Sequence, residues 1–261
     1  MAVSSIIGSA SQETCPLHST KDSFLKTDSD VEPEAVIKYL LSALAEGRTL
    51  SDMGYKVTYF AIRGLAEPIR LLLTDHEIPF DDARIKDLAE WQSVKHQFQF
   101  GQVPCLHDDN EQIVQSGAIL RHLARKHNLN GSNENEATYA DMFYEGIRDL
   151  HMKYTKMIYH AYETEKDSFI KDILPVELAK FEKLLPTRGG GAGYILGDKI
   201  CFADYVLFEE LDIMQILDPH ALDKFPTLKA FHQRMLDRPL IKAYYQKRAE
   251  AKVPVNGNGK Q

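Results

Sequence analysis

Cysteine is scarce: Cys15, Cys105 and Cys201 are all there is in 261 residues. They form no C-x-x-C pair and no disulfide framework, which suits a reducing compartment such as the cytoplasm. No apolar run is long enough to span a membrane. A basic cluster is missing too, and the net charge of −7 argues against a nucleic-acid surface. The ten histidines are scattered, with no H-E-x-x-H and no Cys/His group, so the pattern of a metal site is absent. Residues Arg188 to Gly193 are rich in glycine but lack the Lys-Ser/Thr and the preceding strand of a phosphate loop. What is present is an apolar content of 44%, enough for a proper core, in a length that suits one or two domains.

Residues 1–54 differ in kind from the rest. Met1 to Asp30 is polar and rich in Ser, Thr and Asp, the composition of a disordered segment. Ile6-Ile7 is too short for the apolar part of a signal peptide, and the acidic residues argue against a mitochondrial transit peptide. Glu34 to Glu46 can form a short helix, with Val36, Leu40, Ala43 and Leu44 on one face. Two origins fit this extension: a regulatory or targeting addition, and translation from a start codon upstream of Met53.

Three later runs carry the chemistry. In the first, Tyr55, Val57 and Tyr59 alternate with Lys56, Thr58 and Phe60, the period of a strand. Gly64 breaks it, and Leu65, Ile69, Leu72 and Leu73 follow at helical spacing, with Pro68 suited to the first turn. Tyr59 therefore falls near the C-terminal end of a strand, the end that faces ligands in α/β units. A half-buried strand aromatic fits the same run. The second run, Gly101 to Leu106, contains Val103-Pro104. A cis bond there would leave the Val103 N–H and C=O free to pair with an extended peptide, while a trans bond makes an ordinary turn. In the third run, Ser116 reads as the N-cap of a helix through Ile119, Leu120 and Leu123, whose N-terminus attracts carboxylates.

The second half reads as helices. One starts near Asn133-Glu134 and carries Phe143, Leu150, Tyr154 and Ile158. Another runs through Ile173, Leu174, Leu178, Phe181 and Leu185, with Pro175 dividing or bending it. Tyr205 to Leu217 is apolar on most sides apart from Glu209, Glu210 and Asp212, and reads as a core helix.

With Asp149 to Tyr159, Ile200 to Tyr205 and the closing Pro254 to Gln261, these runs make the chain from Tyr55 to Gln261 resemble the cytosolic glutathione transferases. The resemblance is to the pi class, and to its nematode members in particular. It implies an α+β chain: a thioredoxin-like domain over 55–131, with a mixed four-stranded sheet, then an all-helical domain over 132–261, paired as a homodimer. It also implies an enzyme that conjugates the glutathione thiolate to small hydrophobic electrophiles in detoxification. Glutathione is a co-substrate there, and no resident cofactor, membrane or nucleic acid is involved.

Residue by residue, the resemblance makes Tyr59 the hydroxyl that donates to the sulfur. A free thiol has a pKa of about 8.5, and each unit of lowering stabilises the thiolate by about 1.4 kcal/mol. Trp91 and Lys95 would hold the glycine carboxylate of glutathione. Gln102 and Val103, before Pro104, would pair with its backbone. Gln115 and Ser116 would take the γ-glutamyl carboxylate, and Asp149 would reach its amine across the dimer. Tyr159 would line the electrophile pocket. Along one helix Asp149 and Tyr159 are about 15 Å apart and on different faces. Phe100 would insert into the partner subunit, although Phe98 and Phe100 also read as one face of a strand.

The chain departs from the family pattern in three places. Leu65 stands where mammalian pi-class chains carry an arginine, and the stretch from Trp91 to Gly101 looks two residues shorter. Cys201 stands where the family usually has the Ser or Thr of a capping box, which should weaken that helix start by about 1 kcal/mol. An isomerase or peroxidase using the same thiolate, and a non-catalytic relative of this fold, share most of these residues. Tyr59 favours catalysis, and no cysteine lies near the end of the first strand to support a redox transferase.

Overall fold

The structure, a computed structural model, describes residues 54–261. The expected helix over Glu34 to Glu46, the disordered stretch before it and Cys15 lie outside the described residues. Strand β1 (Tyr55–Phe60) leads through a bend and a 3₁₀ turn into helix α1 (Glu67–Asp75), then β2 (Phe80–Ile85) and α2 (Leu88–Val94). Two 3₁₀ turns (Lys95–Gln97, Gln99–Gly101) precede β3 (Cys105–Asp108), β4 (Glu111–Val114) and α3 (Ser116–Lys126). The sheet order is β2-β1-β3-β4, with β1 and β2 parallel and the other pairs antiparallel. This is a four-stranded mixed sheet with helices, the thioredoxin-like arrangement. β1 lies inside the sheet, and Thr58 is buried along with Val57 and Tyr59, where simple alternation would expose it.

Helices then take over: α4 (Glu134–His160), α5 (Tyr162–Ser168), α6 (Leu174–Leu184), α7 (Phe202–Leu217), α8 (Pro226–Leu236) and α9 (Pro239–Glu250). Asn133 caps α4, its side chain accepting from the Glu136 N–H at 3.0 Å. Between α5 and α6 the chain makes a π turn over Phe169–Ile173, just before Pro175. Proline has no N–H for the i→i−4 ladder, which accounts for a register slip there rather than a break.

Helix α7 is buried on all sides from Phe202 to Met214, and its acids are buried with it: Glu209, Glu210 and Asp212 are each 3% exposed. Two of them meet arginines from distant elements. Arg63, after β1, donates to Glu209 at 2.7 Å and to Asp212 at 2.6 Å. Arg248 of α9 donates to both and to Glu67 of α1, and Arg70 completes the cluster against Glu67. Against the cost of burial, the His232 hydrogen bond and then the two arginines hold Asp212 well below the usual carboxylate range, while burial dominates at Glu209 and raises it. The cluster fastens the loop after β1 to the helices. At the start of α7, the Asp204 carboxylate accepts from the backbone N–H groups of Cys201 (2.7 Å) and Ile195 (2.8 Å), so the acid half of the capping box is in place.

Two expectations need correction. Ser116 is not the N-cap of α3 but its first residue. Gln115 occupies the cap position with φ 73° and makes no side-chain capping bond. The turn out of β4 is one residue shorter than a cap at Ser116 would make it, so the helix begins one position earlier. Phe98 and Phe100 are not on a strand: they lie in and beside the 3₁₀ turns, and Phe100 is 81% exposed with φ 55°.

Candidate active site

Tyr59, the last residue but one of β1, is 7% exposed, and its hydroxyl accepts the Leu65 N–H at 3.3 Å. Burial raises its pKa, partly offset by that N–H, so the phenol stays neutral and keeps its own proton to donate. Edge-on ring contacts run from Tyr59 to Phe60 and from Phe60 to Trp91, and Trp91 stacks on Phe98. They hold α2 against the strand end. The loop carrying Lys95 is pinned by Gln112, which donates to the Gln97 carbonyl at 3.0 Å and accepts the Gln99 N–H at 2.9 Å.

These elements enclose an open cleft of about 450 Å³. Trp91, Lys95, Gln102, Val103, Pro104, Gln115 and Ser116, all singled out in the sequence, line it together. The Val103-Pro104 bond is cis. Gln115 Nε2 donates to Gln102 Oε1 at 2.7 Å, which ties the loop before β3 to the start of α3. A positive φ is uncommon for glutamine, and strained backbone of this kind concentrates at functional sites. As the first helical residue, Ser116 brings an N–H that has no partner within the helix, so the cleft contains a ready anion site.

A second pocket, about 230 Å³, adjoins the first and shares Leu65 and Arg148 with it. Tyr59 and Tyr159 both line it. The C-terminal tail closes one side: Arg63 N–H donates to Pro254 O at 2.9 Å, and Gly257 N–H donates to Tyr159 Oη at 3.1 Å. Asn256 is latched beneath by donating to Tyr154 Oη at 2.6 Å.

Asp149 and Phe100 line neither pocket; both are exposed. Arg148 and His151 were missed in the sequence. The signal was there: Arg148, His151 or Met152, Thr155 and Tyr159 step along α4 at helical spacing, and all face the second pocket. Cys105, at the start of β3, is buried, and burial pushes its thiol up to about 11, which leaves it unreactive.

The model of the glutathione S-transferase N-terminal domain matches residues 55–125, and that of the C-terminal domain matches 148–248. The chain belongs to the glutathione S-transferase family. Glutathione S-transferase 2 of Onchocerca volvulus is 73% identical over 210 residues, which cover 80% of this chain and 100% of that one. Glutathione S-transferase P of Caenorhabditis elegans is 60% identical over 209 residues, 80% of this chain and 100% of the relative. The solved pi-class glutathione S-transferase of Onchocerca volvulus superposes with a TM-score of 0.79 at 72% identity, again over 80% of this chain and 100% of that one.

Proposed function

We infer that this chain is a glutathione transferase that ionises the glutathione thiol and joins it to small hydrophobic electrophiles. The observation that carries the assignment of roles is the Tyr59 hydroxyl bonded to Leu65 N–H, since Leu65 lines both pockets. A thiol placed there is within reach of a neutral phenol donor and faces the pocket with Tyr159. A charge-assisted bond from Tyr59 stabilises thiolate over thiol.

In this reading the tripeptide lies in the larger cleft. Lys95 and the Trp91 N–H hold its glycine carboxylate, and the Val103 backbone pairs with it as an added strand, with Gln102 beside it. Gln115, Ser116 and the N-terminus of α3 hold the γ-glutamyl carboxylate. Tyr159 and the tail shape the electrophile pocket. Asp149 serves the site of a second copy, and Phe100 is the apolar key of a homodimer, as their exposure on this chain allows. Glutathione is the co-substrate, no resident cofactor takes part, and the cytoplasm is the compartment.

Capture on immobilised glutathione, followed by turnover with a panel of aryl halides, unsaturated carbonyls, hydroperoxides and prostaglandin H, tests this. Retention and conjugation support it. Retention with turnover confined to prostaglandin H would make the protein an isomerase, and no retention would refute the reading.

A further inference from the structure

Of Glu209, Glu210 and Asp212 on α7, Glu210 is the one that pairs with no arginine among the described residues. Its side chain is 4% exposed, and Oε1 has no hydrogen-bond partner among the described residues. The other oxygen, Oε2, lies 2.8 Å from Nδ1 of His151 on α4. A cavity of about 30 Å³ opens beside the pair, with Gly64, Ser116 and Arg148 on its wall. His151 also lines the pocket that holds Tyr59 and Tyr159. One imidazole thus joins a buried carboxylate to the place where the sulfur would react. A carboxylate only accepts hydrogen bonds, so it fixes the proton on Nδ1 and leaves the lone pair on Nε2. Nε2 has no protein partner among the described residues.

Ionising a thiol needs a proton acceptor as well as a donor to the thiolate. Tyr59 keeps its own proton and fills only the donor role. We propose that His151, oriented and charge-balanced by Glu210, accepts the proton of the glutathione thiol. The S–H bond breaks, its electron pair stays on sulfur, and an N–H bond forms at Nε2. His151 becomes imidazolium beside the Glu210 carboxylate. With an α,β-unsaturated carbonyl the sulfur adds to the β carbon, and the same proton returns to the α carbon. With an aryl halide the halide leaves with its electron pair and the proton passes to solvent. Tyr154 packs against the ring, and the charged and titratable groups that share its two pockets are Arg148, Tyr144 and Tyr159 on α4, Glu209 and Glu210 on α7 and Tyr59 on β1. Arg148 opposes the imidazolium, and the two glutamates favour it.

The inference rests on the transferase reading, and one experiment separates the two. The full chain is mixed with glutathione in weakly buffered indicator dye, with thiolate read by ultraviolet absorbance and released protons by the dye. The wild type should form thiolate with clearly less than one proton released per thiolate. His151→Gln, which keeps an amide donor for Glu210, should release a full proton per thiolate and lose about a hundredfold in rate toward an unsaturated carbonyl. Glu210→Gln should move both readouts the same way. Full release by the wild type overturns the His151 role and leaves the transferase intact, as does an unchanged ratio in both variants. Absence of thiolate in the wild type overturns both. Should His151→Gln not fold, the wild-type ratio and Glu210→Gln still decide.

Discussion

Gly64 lies so close to Tyr59 that a Cβ at position 64 would sit 2.8 Å from both the phenol oxygen and Cε1 of the ring. The tyrosine is buried and the glycine has φ +46°, so neither side can give way without moving the loop. Gly64→Ala should displace the hydroxyl from the junction of the two pockets. Turnover should fall at least about tenfold, with a stability loss of about 1–3 kcal/mol in thermal melts. Wild-type turnover in this variant would mean that the hydroxyl's position is not critical.

Asp204 offers a second test, on stability alone. Asp204→Ala orphans the buried N–H groups of Cys201 and Ile195, at roughly 1–3 kcal/mol each. Burial pushes the carboxyl up from 3.8 to about 6. A raised acid binds its proton more tightly in the fold, so its contribution is fully present below pH 3.8 and is lost as pH rises through about 6. The gap between wild type and variant, from urea midpoints, should therefore narrow between those values. A gap that widens with pH would contradict the assignment.

Phe100 bears on assembly. Its exposure on a sharp turn leaves a large apolar ring for a partner to cover, contributing about 2–3 kcal/mol at each of two symmetric sites. Phe100→Ala should shift sedimentation toward the monomer at low micromolar protein and, through Asp149, weaken glutathione binding. An unchanged sedimentation coefficient would remove Phe100 from the interface.

A shortened chain that begins at Met53 should match the full chain in glutathione turnover and melting temperature. The family model begins at residue 55, and every element around the two pockets lies after it. Loss of most activity would place part of residues 1–52 in the site.

Legibility in the sequence followed the range of the interactions. Tyr59 and Ser116 could be placed because strand period, a glycine break and a helix start are local signals, whereas Gln102 and Gln115 came only with the family resemblance. The helix start was misplaced by one residue, since nothing in the sequence requires a glutamine to adopt φ 73°. The charge cluster was illegible: Arg248 and Glu67 are 181 positions apart, and Glu209 and Asp212 read only as polar interruptions of an apolar helix. His151 and Arg148 were legible in principle, one and two helical steps back from Thr155. They were passed over because a charged residue on a helix usually faces water.

The most direct measurement is the thiol pKa of bound glutathione in Tyr59→Phe, read from thiolate absorbance against pH. The substitution removes only the hydroxyl, so the ring should keep its packing and glutathione affinity should change little. The pKa should rise toward the free value of about 8.5, and turnover should fall roughly ten- to a hundredfold, as loss of a charged hydrogen bond of about 1.5–3 kcal/mol requires. A bound thiol with wild-type pKa and turnover in Tyr59→Phe would contradict the account.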